Sequence, residues 1–485
     1  MFNQYFQPND ILIIYPELLL ALFAMGVMII DLFLDRAWKV LNAFTALVGI
    51  AYAAYALYRL KSNALNLSGY NHAILNDSFA IYFQFVFLIA TALVILISAR
   101  YLSIEGENRG DYYALILLSL IGMNFMVMGI DLITLYIALE LMAVSEYILV
   151  GYLRTNRQSN EAAMKFFLLG AFSSGILLYG ISLLYGISGS TDLRVIAQRL
   201  AERPSHDPIA LVAVVTLTAG LLFKIGGVPF HQWLPDAYEG APSTITTFIS
   251  VAPKAASFAL ILRIFIVGLK PLETSWVPVL SVVCVLTMTL GNITAISQSN
   301  IKRLLAYSSI AHAGYLLLGL IAGNEYGITG IAIYFLVYAF MNIGIWTLVV
   351  AMRRKDLIGD QIQDMAGMIY KNPGAAVLML VFLLSLAGIP PTAGFIGKYY
   401  LFASVIQTHH YVLAVIAVLN AAISLYYYFR VVVVMFMSEK TDEEKMTLSP
   451  GVLTSLAVTL VFTLLIGIYP EPFIRFAQNS LSLFQ

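Results

Sequence analysis

Apolar runs long enough to cross a bilayer follow one another along nearly the whole chain. Counted between charges, glycines and prolines, they lie at roughly 11–34, 38–59, 78–99, 112–130, 131–153, 161–187, 209–228, 243–269, 276–297, 302–322, 326–351, 373–406, 408–437 and 451–470. A membrane-spanning helix takes about 20 residues, so 14 of them use about 280. The 485 residues include only 27 basic and 27 acidic side chains, and 60% are apolar. That leaves too little polar surface for a soluble enzyme, and it also excludes a secreted disulfide scaffold and a disordered chain. The apolar runs are continuous rather than alternating, which excludes a β-barrel. The predicted fold is all-α: a polytopic membrane protein of about 14 transmembrane helices.

Balanced charge gives no field that would attract nucleic acid. A lone Cys284 forms no internal disulfide, cysteine-rich metal site or iron–sulfur cluster. The first basic residue is Arg36, so the first apolar run lacks the charged flank of a signal peptide and is read as a retained helix. With the N-terminus outside, the inner loops collect Arg36, Lys39, Arg100, Arg109, Arg154, Arg157, Lys302, Arg303, Arg353, Arg354, Lys355, Lys371, Lys440 and Lys445. The outer loops hold half as many, with Arg194, Arg199 and Arg203 on a segment, 190–208, that reads as an amphipathic surface helix. The bias places both termini outside.

Two spans are interrupted. Gly227-Val228-Pro229 breaks the seventh, and Gly388-Ile389-Pro390 breaks the twelfth, 161 residues later. An offset of five helices puts the two breaks in opposite senses across the membrane, the pattern of an inverted repeat. The implied organisation is three N-terminal helices (1–111), a first repeat of spans four to eight (112–270), a second of spans nine to thirteen (271–440), and a C-terminal helix (441–485). Packed proline kinks are the plainer alternative. Each break, however, lies close to a lysine in an apolar run, Lys224 before the first and Lys398 after the second.

Charges at the centre of a span cost about 2.5–3.5 kcal/mol on insertion scales and persist where they are paired, hydrated or functional. Glu140, Lys224, Lys254 and Lys398 all lie in such surroundings. Static ion pairing does not account for three lysines and one comparable carboxylate. A lysine suits proton transfer because desolvation disfavours its charged form and a nearby carboxylate favours it. His312 and His231 titrate nearer neutrality and can bridge donors through water. Glu161 and Lys165 share a helix face as an i,i+4 pair. Glu17, Asp31, Glu146, Arg263 and Arg430 lie nearer span ends, where snorkelling is expected. Neither a phosphate-binding Gly-x4-Gly-Lys-[Ser/Thr] loop nor a dinucleotide fingerprint is present, so energy must come from an ion gradient or from partner subunits.

Three long motifs carry a resemblance. They are Phe223-Lys224 through Val228-Pro229-Phe230-His231-Gln232-Trp233-Leu234-Pro235-Asp236 to Pro253-Lys254; Asn300-Ile301-Lys302-Arg303 to Ala311-His312-Ala313-Gly314-Tyr315; and Ser385-Leu386-Ala387-Gly388-Ile389-Pro390-Pro391 to Gly397-Lys398. They resemble the antiporter-like membrane subunits of the proton-pumping NADH–quinone oxidoreductase, respiratory complex I, and among these subunit N. Lysine at 398 points away from subunit M, and the lack of a long C-terminal extension points away from subunit L. The resemblance implies a subunit of a translocase in the bacterial cytoplasmic membrane, beside other membrane-arm subunits that include further antiporter-like ones. NADH, FMN, iron–sulfur clusters and quinone would belong to the parent complex, with none on this chain. It also implies Glu140 as the carboxylate modulating Lys224, Lys254 as central relay, Lys398 as terminal lysine and His312 as a link. Glu161 and Lys165 would lie at the mouth of the route, and Glu146 has no counterpart. Multi-subunit sodium/proton antiporters share the lysines and remain the alternative, as does a purely structural scaffold.

Overall fold

A computed structural model describes residues 8–480 apart from 64–66, 205–206, 354–358, 440–445 and 447. The chain runs α1 Pro8–Ile13, α2 Tyr15–Asp31, α3 Val40–Asn63, α4 Ser78–Glu105, α5 Gly110–Met128, α6 Leu132–Val150, α7 Arg157–Ser188 and α8 Leu193–Ala201. It continues through α9 Pro208–Ile225, α10 Trp233–Gly240, α11 Ser243–Leu262, α12 Glu273–Ile296, α13 Ile301–Ala322 and α14 Glu325–Met352. The last third holds α15 Met368–Lys371, α16 Pro373–Ala387, α17 Ala393–Gln407, α18 Tyr411–Met437, α19 Pro450–Ile468 and α20 Glu471–Ser480. The polytopic helical architecture is the expected one.

Among the described residues, 12 helices are long and apolar enough to cross a membrane. The remaining expected spans, 11–34 and 373–406, are met by α2 and by the α16–α17 pair, whose helices are shorter. The segment at 190–208 does form a surface helix, α8, with Leu193, Ile196 and Leu200 buried and Arg194 and Arg199 outward. One β-hairpin, Leu67–Gly69 with Ile74–Asn76, was not anticipated. Arg354, Lys355, Lys440 and Lys445 lie outside the described residues.

Helix starts follow their capping side chains. Asp77, Asp131, Asn156, Asp192, Asp207, Asn300 and Asn324 each accept from backbone N–H groups of the first turn, satisfying donors that a helix leaves free. Two of these caps share a further pattern. Asp131 pairs by an isolated antiparallel bridge with Asp192, and Asn300 pairs with Gln361. Around the first, Leu132 N–H donates to Thr191 O and Leu193 N–H to Ile130 O, at 2.9 and 3.0 Å. Around the second, Ile301 N–H donates to Asp360 O and Ile362 N–H to Ser299 O, at 2.8 and 2.9 Å. The same backbone clasp thus recurs where α6 and α13 begin.

The core lies on α11, α13 and α14. Every residue of α11 is buried, as is α14 from Gly327 to Met352. By contrast α7 and α18 turn large apolar side chains outward, such as Phe172, Tyr179, Val412 and Tyr426. A bilayer or a neighbouring apolar subunit is the medium that accepts such a surface.

Three of the residues expected to snorkel are enclosed instead. Arg263 is buried, with Nη1 2.6 Å from Asp77 Oδ2 without hydrogen-bond alignment, and Nε donating to Val127 O at 3.0 Å. Its guanidinium also stacks 4.9 Å from the Phe79 ring centre. Glu17 is buried and accepts from Asn124 Nδ2 at 3.0 Å. Glu146 is the third. Helix-helix packing covers these positions from the side, which distance from a span's end does not report. Asp31 instead pairs with Lys39 at 2.7 Å, and Arg430 donates to the carbonyls of Ile296 and Gln298.

Candidate functional site

Both interruptions close their helices by one hydrogen-bond pattern. Gly226 adopts φ 72° and Gly388 φ 84°, left-handed values that glycine reaches without Cβ strain. At the first break Gly227 N–H donates to Leu222 O at 2.8 Å and Gly226 N–H to Phe223 O at 3.1 Å. At the second, Ile389 N–H donates to Leu384 O at 3.1 Å and Gly388 N–H to Ser385 O at 3.0 Å. These are Schellman closures. They pair Gly226 with Gly388, one residue out of step with the match read from Gly227-Val228-Pro229 and Gly388-Ile389-Pro390. Three-residue similarity carries no information about which glycine is left-handed, and the closing bonds decide it.

The sequels differ. After the first break only the short α10 follows, and Trp233 Nε1 donates at 2.9 Å to the Phe223 carbonyl, which also takes the Gly226 N–H. After the second, α17 runs on for 15 residues and carries Lys398, whose Nζ donates to the freed Ala387 carbonyl at 2.9 Å. Lys398 therefore caps the broken end of α16.

Lys224 occupies the last turn of α9, buried, with Nζ 3.4 Å from the Tyr147 hydroxyl and 5.8 Å from that ring's centre. Glu140 and Glu146, both on α6, lie within electrostatic reach of it. Glu140 makes no ion pair with Lys224 and accepts from Ser174 Oγ at 2.5 Å, half-buried. Expectation centred on Glu140 alone; Glu146, 4% exposed, is the more enclosed of the two.

Lys254, in the middle of α11 beside Pro253, donates to Ser309 Oγ at 2.5 Å and contacts Ser309 O at 3.3 Å. The Tyr338 hydroxyl reaches the same Ser309 Oγ at 3.1 Å. Ser309 lies nine residues past the Asn300 cap, and Glu140 lies nine past the Asp131 cap. His312 is buried one turn beyond Ser309, its Nδ1 against the Tyr334 hydroxyl and its Nε2 3.1 Å from the Tyr428 hydroxyl. Tyr428 in turn bonds Ser308. His312 is in electrostatic reach of both Lys254 and Lys398, and Lys398 Nζ stands 5.1 Å from the Tyr315 ring centre. The structure thus sets His312 in a cluster of hydroxyls, within electrostatic reach of two of the lysines.

Lys165 does not point inward. Its Nζ pairs with Glu161 and with Asp236, both at 2.9 Å, and Asp236 and Glu239 also hold Arg303 at 2.9 and 2.8 Å. Glu161, Lys165, Asp236 and Glu239 line a cleft of about 170 Å³. Burial pushes the Asp236 carboxyl up, and the facing Lys165 and Arg303 more than reverse this, holding it below the ordinary carboxylate range. His231, in the first break, is half-buried, and its Nδ1 has no hydrogen-bond partner among the described residues.

The family model for NADH:quinone oxidoreductase/Mrp antiporter membrane subunits matches residues 129–424, the part of the chain that holds both breaks and all of these lysines. NADH-quinone oxidoreductase subunit N 2 of Solibacter usitatus is 51% identical over 489 residues, covering 99% of each chain. The chain belongs to the NADH-quinone oxidoreductase subunit N family. A chain of respiratory complex I from Thermus thermophilus superposes with a TM-score of 0.81 at 28% identity, over 95% of this chain and 98% of that one. A chain of the Mrp complex from Dietzia sp. shares the fold, with a TM-score of 0.78 at 21% identity over 96% of each.

For this subunit N relative, sequence reasoning gave no notice of Tyr147, Ser174, Ser309, Tyr334, Tyr338 and Tyr428 as partners of these groups. Hydroxyl side chains pass unnoticed in apolar helices because they cost little to bury when a carbonyl or another hydroxyl is near. The available signal was Ser308-Ser309, inside the same motif as His312.

Proposed function

We propose that this chain carries one protonic route through the membrane arm of an NADH–quinone oxidoreductase, with Lys224, Lys254, His312 and Lys398 as proton-holding groups. Glu140 biases Lys224 from α6, and the Glu161–Lys165–Asp236 cleft lies at the mouth of the route. One observation carries the reading: each of the three lysines is buried, none has a carboxylate within ion-pair distance among the described residues, and each is held by a hydroxyl or a freed carbonyl. Such a lysine is poised to give up its proton, whereas a register-fixing ion pair needs its partner in contact. NADH, FMN, iron–sulfur clusters and quinone are held by other subunits, and this chain contributes no redox step. Further antiporter-like subunits adjoin it in the bilayer. The recurrent clasp at α6 and α13 and the matched closures at Gly226 and Gly388 support two inverted five-helix repeats, over 112–270 and 271–440.

In the assembled enzyme reconstituted in vesicles, Lys254→Ala and Lys398→Ala are each expected to lower the protons moved per NADH oxidised. Full pumping by both variants, with the subunit retained, would reduce the lysines to structural groups. A sodium/proton exchanger, the second reading, would instead purify without flavin and iron–sulfur clusters and show sodium-dependent exchange.

The excess of basic residues in the alternate loops supports both termini lying outside the bacterial cytoplasmic membrane. Single cysteines at Tyr370, 70% exposed, and at His72, also exposed, test this in a Cys284→Ala background. An impermeant thiol reagent added outside should label position 72 and spare 370; the reverse would turn the topology over.

A further inference from the structure

Glu146 is the enclosed titratable group to which the proposed route assigns no task. It follows Glu140 by six residues on α6, and at 3.6 residues per turn the two point to different faces of the helix. Glu140 is half-buried, while Glu146 turns inward and its Oε1 has no hydrogen-bond partner among the described residues. Two other buried polar atoms near it share that condition. The Tyr238 hydroxyl on α10 lies within electrostatic reach of Glu146, and Trp346 Nε1 on α14 belongs to a ring 6.1 Å from that of Tyr238. Tyr238 thus links the other two, its hydroxyl within electrostatic reach of Glu146 and its ring beside that of Trp346. Buried polar groups rarely stay unpaired, and a site with several of them is one that ordered water fills. Tyr238 also neighbours Ser309, which is bonded to Lys254, and Tyr338, which is bonded to Ser309.

We propose that Glu146 is a second proton-carrying carboxylate of the Lys224 site, linked to Lys254 through the Tyr238 hydroxyl and water. Trp346 acts as a positioning residue, its N–H orienting that water. The proposal rests on the relay reading above and adds the connection between its first two lysines. In the first step the Lys224 ammonium gives a proton to the Glu146 carboxylate, leaving a neutral amine and a neutral acid. In the second, the acid passes its proton to water, and the Tyr238 hydroxyl accepts one proton as it releases its own toward Ser309. The neutral Lys254 amine gains the proton and becomes ammonium, and Glu146 returns to carboxylate. Charge is conserved at each step, and only water is needed as co-reactant.

The test uses the whole enzyme in vesicles, with protons per NADH and subunit retention measured together. Losing a positioned proton-transfer group slows its step by roughly 10²-fold. Glu146→Gln and Tyr238→Phe should therefore each slow this route roughly 10²-fold and remove its share of the protons moved per NADH, even where other routes continue. Glu146→Asp should recover much of the loss, and the Glu146→Gln/Tyr238→Phe double variant should fall no lower than Glu146→Gln alone, because both lie on one path. A purely structural role would leave the near-isosteric Glu146→Gln pumping normally. Normal pumping by Glu146→Gln and Tyr238→Phe beside a defective Lys254→Ala overturns the bridge and leaves the relay standing. Normal pumping by all three overturns both. If Glu146→Gln is lost from the assembly, Tyr238→Phe decides, and wild-type pumping by that variant sinks the proposal.

Discussion

Replacing Lys224 by alanine is expected to abolish most of the pumping routed through this subunit, with a measurable loss of stability. Lys224 lies within electrostatic reach of two carboxylates, and its removal leaves the buried Glu146 without that cation. An enclosed carboxylate left with no cation in reach is costly to keep charged, so retention of the subunit must be followed beside proton transfer. Lys224→Arg keeps the charge and should assemble better, yet guanidinium does not release its proton, so pumping should still fail. Glu140→Ala is expected to be milder in stability, since Glu140 is half-buried and bonded chiefly to Ser174, while coupled pumping still drops. NADH-driven acidification of reconstituted vesicles measures the effect. Undiminished pumping by assembled Lys224→Ala and Glu140→Ala enzymes would remove both residues from the route.

Gly394→Ala should be among the most disruptive single-atom additions to this chain. A Cβ at Gly394 would come within 1.7 Å of Ser385 O, a backbone atom with no flexible end to swing aside. The Gly394 N–H also donates to Ser385 Oγ at 3.1 Å, so α16 and α17 meet here on their backbones. Overpacking typically costs about 1–3 kcal/mol, and a wall made of main chain puts this site at the upper end or beyond. The displacement would carry Lys398 away from the Ala387 carbonyl that it caps. Gly175→Ala is the matched control, because nothing lies within 4 Å of the added carbon there. Thermal midpoints of the purified assemblies compare the two: a large drop for Gly394→Ala against little change for Gly175→Ala. Equal midpoints would mean that the second break tolerates expansion and is not the close backbone contact described.

The fold class and the lysines were legible because both depend on composition within a window. Twenty apolar residues must span a bilayer wherever they occur, and Lys224, Lys254 and Lys398 stand out against that background without any knowledge of their neighbours. The breaks were legible for a similar reason, since Gly and Pro act on their own helix. What surrounds each lysine was not. Whether Glu140 or Glu146 is enclosed depends on which side of α6 turns toward Tyr238 on α10 and which toward Ser174 on α7. That is a rotation about the helix axis, and an almost uniformly apolar helix gives no polarity contrast from which to read it. For the same reason Glu17 and Arg263 read as snorkelling groups, until packing from other helices enclosed them with Asn124 and Asp77. The hydroxyl partners Ser309, Tyr338, Tyr334 and Tyr428 come from three helices, α13, α14 and α18. Only the tertiary structure brings them to Lys254 and His312, because in a bilayer the sequence specifies how much must be apolar, while the contacts among helices decide where each polar group finds its partner.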